Sequence, residues 1–317
     1  MHPTSVHFHL EPLTDGVYAA IAKEGGLARA NAGIVDLGDR ALVFDTFMIP
    51  QAAHELIAAA QAITGHPVTL AVNSHWHGDH VLGNQALPAA CTLISTHRTR
   101  ALMAERLPPR IEEQRQRGAR LLQDLEHQFQ REDDPPKRQA ISEAIELQRM
   151  ALGDLAGLVL RLPDLTFERR MTLHSAARTV DLLTFGTGHT EGDALLHLPG
   201  DQIAFVGDLL FNRAHPWLGD GDPEGWLRVY AEIEALDPGV EVVVPGHGAV
   251  GGPVDFAALR RYVPALRQIV EEVVRSGGSA DDAAVRPVPA AFSDWGAPQV
   301  FSANMRYLYA QMSANGT

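Results

Sequence analysis

Three histidines and an aspartate fall within six positions of the stretch "NSHWHGDHVLGN", residues 73–84: His75, His77, Asp79 and His80. Imidazole nitrogens and carboxylate oxygens are the donors that hold zinc, and iron or manganese accept the same mixture. The spacing carries information. Alternate residues of an extended segment point the same way, so the rings of His75 and His77 can face one ion. Asp79 and His80 follow Gly78, where the backbone can turn sharply, which suits a second ion beside the first. Three later positions match this chemistry. His189 stands between glycines in "FGTGHTEGD", Asp208 follows a glycine in "FVGDLLF", and His247 closes "VVVPGHG". A single histidine among fifteen says little. Five histidines and two aspartates gathered at strand-like ends point to a metal centre.

The elements that must position them alternate in type. Residues 17–45 read as strands ("VYAAIA", "AGIVDL", "ALVFDT"), and 51–63 as a helix ending near Gly65 and Pro67. The apolar run "VTLAVNS" delivers the histidine cluster at its end, and "CTLIST" follows. After Pro163 strand signals return in "LTFERRMTLH", "RTVDLLTFG", "DALLHLPG", "QIAFVGDLLF" and "VEVVVPGHG". Such alternation is that of a layered α/β protein. Residues 98–160 differ. Ile111, Leu122, Leu125 and Phe129, then Ile141, Ile145, Leu152 and Leu155, recur at helical spacing on either side of "DDPP". They predict an antiparallel helical hairpin inserted into a single domain of residues 1–317. Two roles stay open for this insert beyond added packing: a lid over the site, or the interface of a homodimer. Residues 253–275 read as an amphipathic helix. The tail, 285–317, carries Trp295, Phe301, Tyr307 and Tyr309, aromatics suited to docking it on the body.

Composition narrows the class. The chain has 317 residues, 45% hydrophobic and 21% charged, with one cysteine. That length buries a core without disulfides, and one cysteine rules out an intramolecular bridge. A net charge of −13 and the lack of a basic stripe argue against a nucleic-acid partner. Neither a basic–apolar leader nor an apolar run of membrane length is read, so a cytoplasmic protein away from membranes is the expectation.

The motifs "HWHGDH", "GHTEGD", "VGDLLF" and "PGHG" stand in the order of the metallo-β-lactamase superfamily, which the chain resembles over roughly residues 12–255, apart from the helical insert. The resemblance implies a four-layer αββα sandwich with metals at one edge between the sheets. It implies that His75, His77 and His189 hold one metal, that Asp79, His80 and His247 hold another, and that Asp208 bridges them, as in the glyoxalase II and lactonase branch. Zinc β-lactamases with a cysteine near that place differ, and Cys91 matches no ligand position. Asp45, ending "ALVFD", falls at a common family position below the site, where it would support a ligand.

The implied activity is a dinuclear zinc hydrolysis. Zinc lowers the pKa of bound water from 15.7 to about 7, and two zincs about 3.5–4 Å apart can share one hydroxide. That hydroxide would attack a polarised carbonyl of an ester, lactone, thioester or lactam, with Asp79 orienting it as well as ligating. Candidate contacts for a small-molecule substrate are Asn212, Arg213, His215 and Trp217 in the segment after Asp208, and Asn31 in the glycine-rich loop "EGGLARANAG". Three other readings compete. A mononuclear iron enzyme like the sulfur dioxygenases of the superfamily would leave His80 and His247 without a role. A phosphodiesterase is disfavoured by the acidic charge, and a structural zinc module by the scarcity of cysteine.

Overall fold

The computed structural model describes residues 4–315; the last two residues of the expected tail lie outside them. Two sheets face each other. The first takes its strands in chain order: β1 (Phe8–Thr14), β2 (Val17–Ala22), β3 (Ala32–Asp36), β4 (Ala41–Phe44), β5 (Val68–Val72), β6 (Thr92–Thr96) and β7 (Leu165–Phe167). The second contains β8 (Arg170–His174), β9 (Thr179–Leu183), β10 (Leu195–Leu198), β11 (Ile203–Phe211) and β12 (Val242–His247) in the order β12-β11-β10-β9-β8. The layer between them is apolar: Val17, Ala19, Leu42, Phe44 and Val72 from one sheet meet Val180, Leu182, Leu196 and Phe205 from the other.

Each outer face is covered by helices. On the first sheet α1 (Pro50–Thr64) lays Ala52, Leu56, Ala59 and Ala60 against Ile34, Val43 and Ala71. Gly65, at φ 72, ends it in the left-handed conformation that glycine adopts at least cost. On the second sheet α5 (Pro223–Glu234), α6 (Phe256–Arg275) and α8 (Pro298–Asn315), the last preceded by the short α7 (Ala280–Ala284), bury Trp226, Tyr230, Leu266, Phe301 and Met305 over Leu195, Val206 and Val243. The result is the αββα sandwich expected from the motifs. No helix among the described residues is long and apolar enough to cross a membrane.

Several elements depart from the sequence reading. β1 is not among the strands it picks out, although its residues pair antiparallel with β2 from Phe8 opposite Ala22. The run "LTFERRMTLH" divides: β7 joins the first sheet and β8 the second, so the chain crosses between layers at Glu168 and Arg169. The insert begins earlier and more firmly than a free hairpin would. α3 (His97–Arg131) runs through Pro108 and Pro109 without ending there. Its first half is held by the body: Leu102, Met103, Leu107 and Ile111 bury against Trp76, Val81 and Leu82. Each such side chain adds roughly 1.5–3 kcal/mol of burial, enough to offset the bonds a proline removes. The second half pairs with α4 (Pro135–Ala156), where Arg115 donates to the carbonyl of Leu155 and Arg149 to Glu126.

Candidate metal centre

The seven motif residues converge at one edge of the sandwich. β5 ends at Val72, and the extended exit sends His75 and His77 to one side and Trp76 to the other, where the indole is fully buried among Leu102, Met103 and Leu107. A single helical turn, α2 (Gly78–Val81), then swings Asp79 and His80 round. His189 lies on the β9–β10 connection, which Asp193 pins by accepting from the Thr190 amide at 2.9 Å. His247 is the last residue of β12. Asp208 is not at a strand end, as the sequence suggested, but inside β11, beside a register shift at Gly207. Gly207 adopts φ +53, and a Cβ there would lie 2.6 Å from the Cβ of Ser74. Glycine thus lets β11 approach the end of β5, and the irregularity aims Asp208 at the histidines.

Two donor groups result, His75, His77, His189 and Asp208 in one and Asp79, His80 and His247 in the other, each with its ligand-type atoms within 4.8 Å of one another. Asp208 serves both. Its Oδ2 lies 3.2 Å from Nε2 of His189 and 3.7 Å from Nε2 of His75. Its Oδ1 lies 3.0 Å from Nε2 of His80 and 3.3 Å from Nε2 of His247. Asp79 Oδ2 is 3.4 Å from the same nitrogen of His247.

The far nitrogen of four rings is anchored, which decides the nitrogen presented inward. His75 Nδ1 contacts Ser74 Oγ at 2.9 Å, and that hydroxyl donates to Asp45. His80 Nδ1 donates to Asp45 Oδ2 at 2.7 Å. His189 Nδ1 donates to the Trp217 carbonyl at 3.1 Å. His77 Nε2 donates to Asp220 Oδ2 at 3.0 Å, leaving its Nδ1 2.9 Å from Nε2 of His189.

Electrostatics divide the site. Burial, reinforced by the positive His80, drives His75 well below the ordinary histidine range. Burial also lowers His189, to about 3. Burial opposes charge on His247 too, but Asp208 and Asp79 outweigh it and raise that ring to about 10. His80 is raised in the same way, by Asp208, Asp45 and Asp79 against burial. Burial alone would raise Asp208, yet the surrounding His247, His80 and His189 hold it well below the usual carboxylate range.

Metal ions fit this arrangement on an independent observation. Nε2 of His75, Nε2 of His80 and Oδ1 of Asp208 are buried without hydrogen-bond partners among the described residues. Orphaned buried polar atoms are costly, and these three belong to the two donor groups and have the donor chemistry of zinc, iron or manganese.

Beside the centre lies a cavity of about 590 Å³, lined by His77, Asp79 and His247 and by Arg29, Met48, Leu107, Ile111, Gln114 and Trp217 among others. A larger groove of about 790 Å³, near Glu224, Arg267 and Tyr307 on the outer helices, contains none of the metal-capable residues. Of the five substrate contacts expected from sequence, only Trp217 lines the cavity. Asn31 is buried and committed: it accepts from Ala22 N and donates to the carbonyls of Pro245 and Gly248. Asn212 donates to Ala249, Arg213 pairs with Asp294, and His215 is buried against the Tyr262 hydroxyl at 3.0 Å. The lining that sequence reasoning missed comes from α3 and from Arg29 and Met48. Asp220 was also missed: besides His77 it binds Trp217 Nε1 at 2.8 Å and Arg110 at 3.0 Å.

Comparisons with known proteins follow this geometry. A family model described as "Metallo-beta-lactamase superfamily" matches residues 25–247. The chain is 26% identical to a metallo-beta-lactamase type 2 of Bacteroides fragilis over 120 residues, 37% of this chain and 45% of that protein. It is 28% identical to a hydroxyacylglutathione hydrolase of Fuscovulum blasticum over 220 residues, 68% of this chain and 62% of that protein. The matches thus span about half of these relatives' lengths. Among solved structures, a metallo-beta-lactamase from Pontibacter korlensis aligns with TM-score 0.57 at 19% identity, covering 80% of this chain and 99% of its own. A double mutant of the sec-alkyl sulfatase PisA1 aligns with TM-score 0.65 at 16% identity, covering 96% of this chain and 50% of its own. At these identities the structural likenesses speak to fold alone.

Proposed function

The chain belongs to the metallo-β-lactamase superfamily, and from that premise we propose that it is a dinuclear zinc hydrolase acting on the carbonyl of an ester, thioester, lactone or lactam. The observation that carries this reading is the two-sided placement of Asp208, one oxygen toward His75 and His189 and the other toward His80 and His247. His75, His77, His189 and Asp208 would hold one ion, and Asp79, His80, His247 and Asp208 the other. Zinc ions in these places supply a Lewis acid for the carbonyl oxygen and lower the pKa of coordinated water to about 7.

The protein's own groups do the rest. Asp79, on the cavity wall, accepts a hydrogen bond from the attacking water and so orients it toward the carbonyl carbon. Asp45, Ser74, Asp220 and the Trp217 carbonyl keep the four rings from turning. Met48, Leu107, Ile111 and the face of Trp217 offer an apolar seat for the substrate body. The relative named as a hydroxyacylglutathione hydrolase makes a thioester the first class to try. The sulfatase likeness adds alkyl sulfates to the panel.

The test is a turnover screen of the zinc-loaded protein against thioesters, lactones, aryl esters, β-lactams, phosphodiesters and alkyl sulfates, with Asp79→Ala as control. Metal analysis accompanies it. Two zincs per chain and carbonyl hydrolysis lost in the control are expected. One iron per chain, or a control as active as the parent, would end this reading.

A further inference from the structure

Two arginines, Arg29 and Arg110, line the cavity beside the metal centre, and they differ in one respect. Arg110 is spent: it pairs with Asp220 at 3.0 Å and lies over the Trp76 ring at 4.2 Å. Arg29 makes no hydrogen bond, ion pair or ring contact with any described residue. The nearby carboxylates are already engaged. Asp79 faces His247 and His80, Asp208 faces four histidines, and Asp220 is held by His77, Trp217 and Arg110.

The backbone beneath Arg29 is unusual as well. Its φ is 70, in the left-handed region where glycine or asparagine is the low-cost residue. The flanking Ala28 and Ala30 are fully buried. The Ala28 carbonyl accepts from Met48 N at 3.0 Å, and Asn31 N donates to Gly246 at 2.7 Å. The loop therefore holds one long, solvent-exposed cationic side chain from a strained position at the rim of a cavity whose carboxylates, Asp79 and Asp220, are engaged by other partners. Strain kept at such a place points to use rather than to packing. On α3 a second polar group is uncommitted: Gln114 Oε1 is buried without a partner. Met48, Leu82, Leu107, Ile111 and Trp217 form the apolar part of the wall.

We propose that Arg29 is a specificity-determining residue that receives an anionic group, in the first instance a carboxylate, carried on the apolar body of the substrate away from the bond that is cleaved. This deepens the hydrolase reading and rests on it for the identity of the cleaved bond. In a chain of net charge −13, an unpaired guanidinium at the mouth of the site also gives an anion a local attractor that the surface as a whole denies it.

The test uses two esters of equal length, the 4-nitrophenyl monoester of glutaric acid and the 4-nitrophenyl ester of pentanoic acid, which differ by a terminal carboxylate against a methyl group. Zinc-loaded parent should favour the charged ester about tenfold in kcat/KM. Arg29→Gly, which suits the left-handed backbone and should fold at least as well, should bring the ratio near unity, and Arg29→Lys should keep part of it. An unchanged ratio in Arg29→Gly overturns the proposal. Binding without turnover gives an independent arm. Pentanoate titrated into chelator-treated protein should quench Trp217 fluorescence saturably, with Trp217→Phe as blank, and Arg29→Gly should weaken binding about tenfold. Pentyl sulfate titrated in parallel tells a carboxylate preference from a sulfate one. Arg29-dependent binding with no ester turnover would sink the hydrolase reading and leave the anion site standing. Equal binding by parent and Arg29→Gly would sink the anion site whatever the turnover.

Discussion

Asp45 Oδ2 accepts from Nδ1 of His80 at 2.7 Å, with both side chains out of contact with solvent, and this bond turns the other nitrogen of His80 to within 3.0 Å of Asp208. The same carboxylate receives the Ser74 amide at 2.7 Å, so one buried group sets the start of the histidine segment and the orientation of a ring within it. Asp45 has φ 61, which asparagine tolerates, so Asp45→Asn removes the charge while sparing the backbone. The variant should fold and lose about 10–100-fold in affinity for the ion of the Asp79, His80 and His247 group. Metal content at graded chelator concentrations reads this directly; metal held as tightly as in the parent would contradict it.

Asp220 does for His77 what Asp45 does for His80, through a 3.0 Å contact. Asp220→Ala should free the ring, leave Arg110 without its counter-charge and lower kcat/KM about tenfold. Asp220→Asn should recover part of the loss, because its amide oxygen still accepts from Nε2 of His77. Equal activity for Ala and Asn would show that His77 needs no such partner.

Gly246 has no room for a side chain: a Cβ there would lie 1.9 Å from Asp208 Oδ1. Gly246→Ala should push the carboxylate off its place between the histidines. Metal content should fall below that of the parent, and stability should drop by about 1–3 kcal/mol from overpacking. Elemental analysis with a denaturant titration checks both, and full metal loading would refute the first.

Chelation should separate catalysis from folding. The metal residues sit at one edge, whereas the layer between the sheets and the helical layers outside them are apolar and independent of the ions. Treated protein should lose turnover and keep its far-UV circular dichroism. Its melting temperature should fall, since ligand at about a thousandfold its Kd stabilises by about 4 kcal/mol. Loss of the dichroism on chelation would mark the ions as structural.

Cys91 gives a pH prediction away from the site. The thiol is 2% exposed, and burial, against the opposing charge of Arg161, pushes it up to about 11. The folded chain therefore holds its proton where an unfolded chain with an ordinary thiol, near 9, has lost it. Between those values the folded state binds more protons, so this group's contribution to stability is present below about 9 and is lost as the pH rises through 11. At pH 8 the thiolate population is about a hundredfold below that of an ordinary thiol. Alkylation by iodoacetamide should be slow in native protein, rise toward pH 11 and be immediate in urea. Labelling at the free-thiol rate near pH 8 would exclude the burial argument.

The chain order of residues determined a good deal by itself. Short apolar runs bounded by turn signals announced most strands of both sheets, and the residues just beyond them announced the donors, because a strand end hands its next side chains to a sheet edge whatever the rest of the chain does. What required the tertiary structure was every pairing between distant segments. Asp220 and His77 are 143 positions apart, and Asn31 and Pro245 are 214 apart, and no local pattern marks either contact. The same holds for Asp208, which local pattern placed after a strand and whose direction is set by a bulge pressed against Ser74. It holds for Asn212, Arg213 and His215, whose nearness to Asp208 in sequence suggested a pocket wall. Neighbours on a strand alternate faces and then leave with the loop, while α3, nearly a hundred positions earlier, returns to fill that wall through the burial of Leu102, Met103 and Leu107 against Trp76. Donor type and spacing are local properties and can be read in one dimension; which groups end up satisfied, and which are left open to a ligand as Arg29 is, depends on the packing of the whole chain.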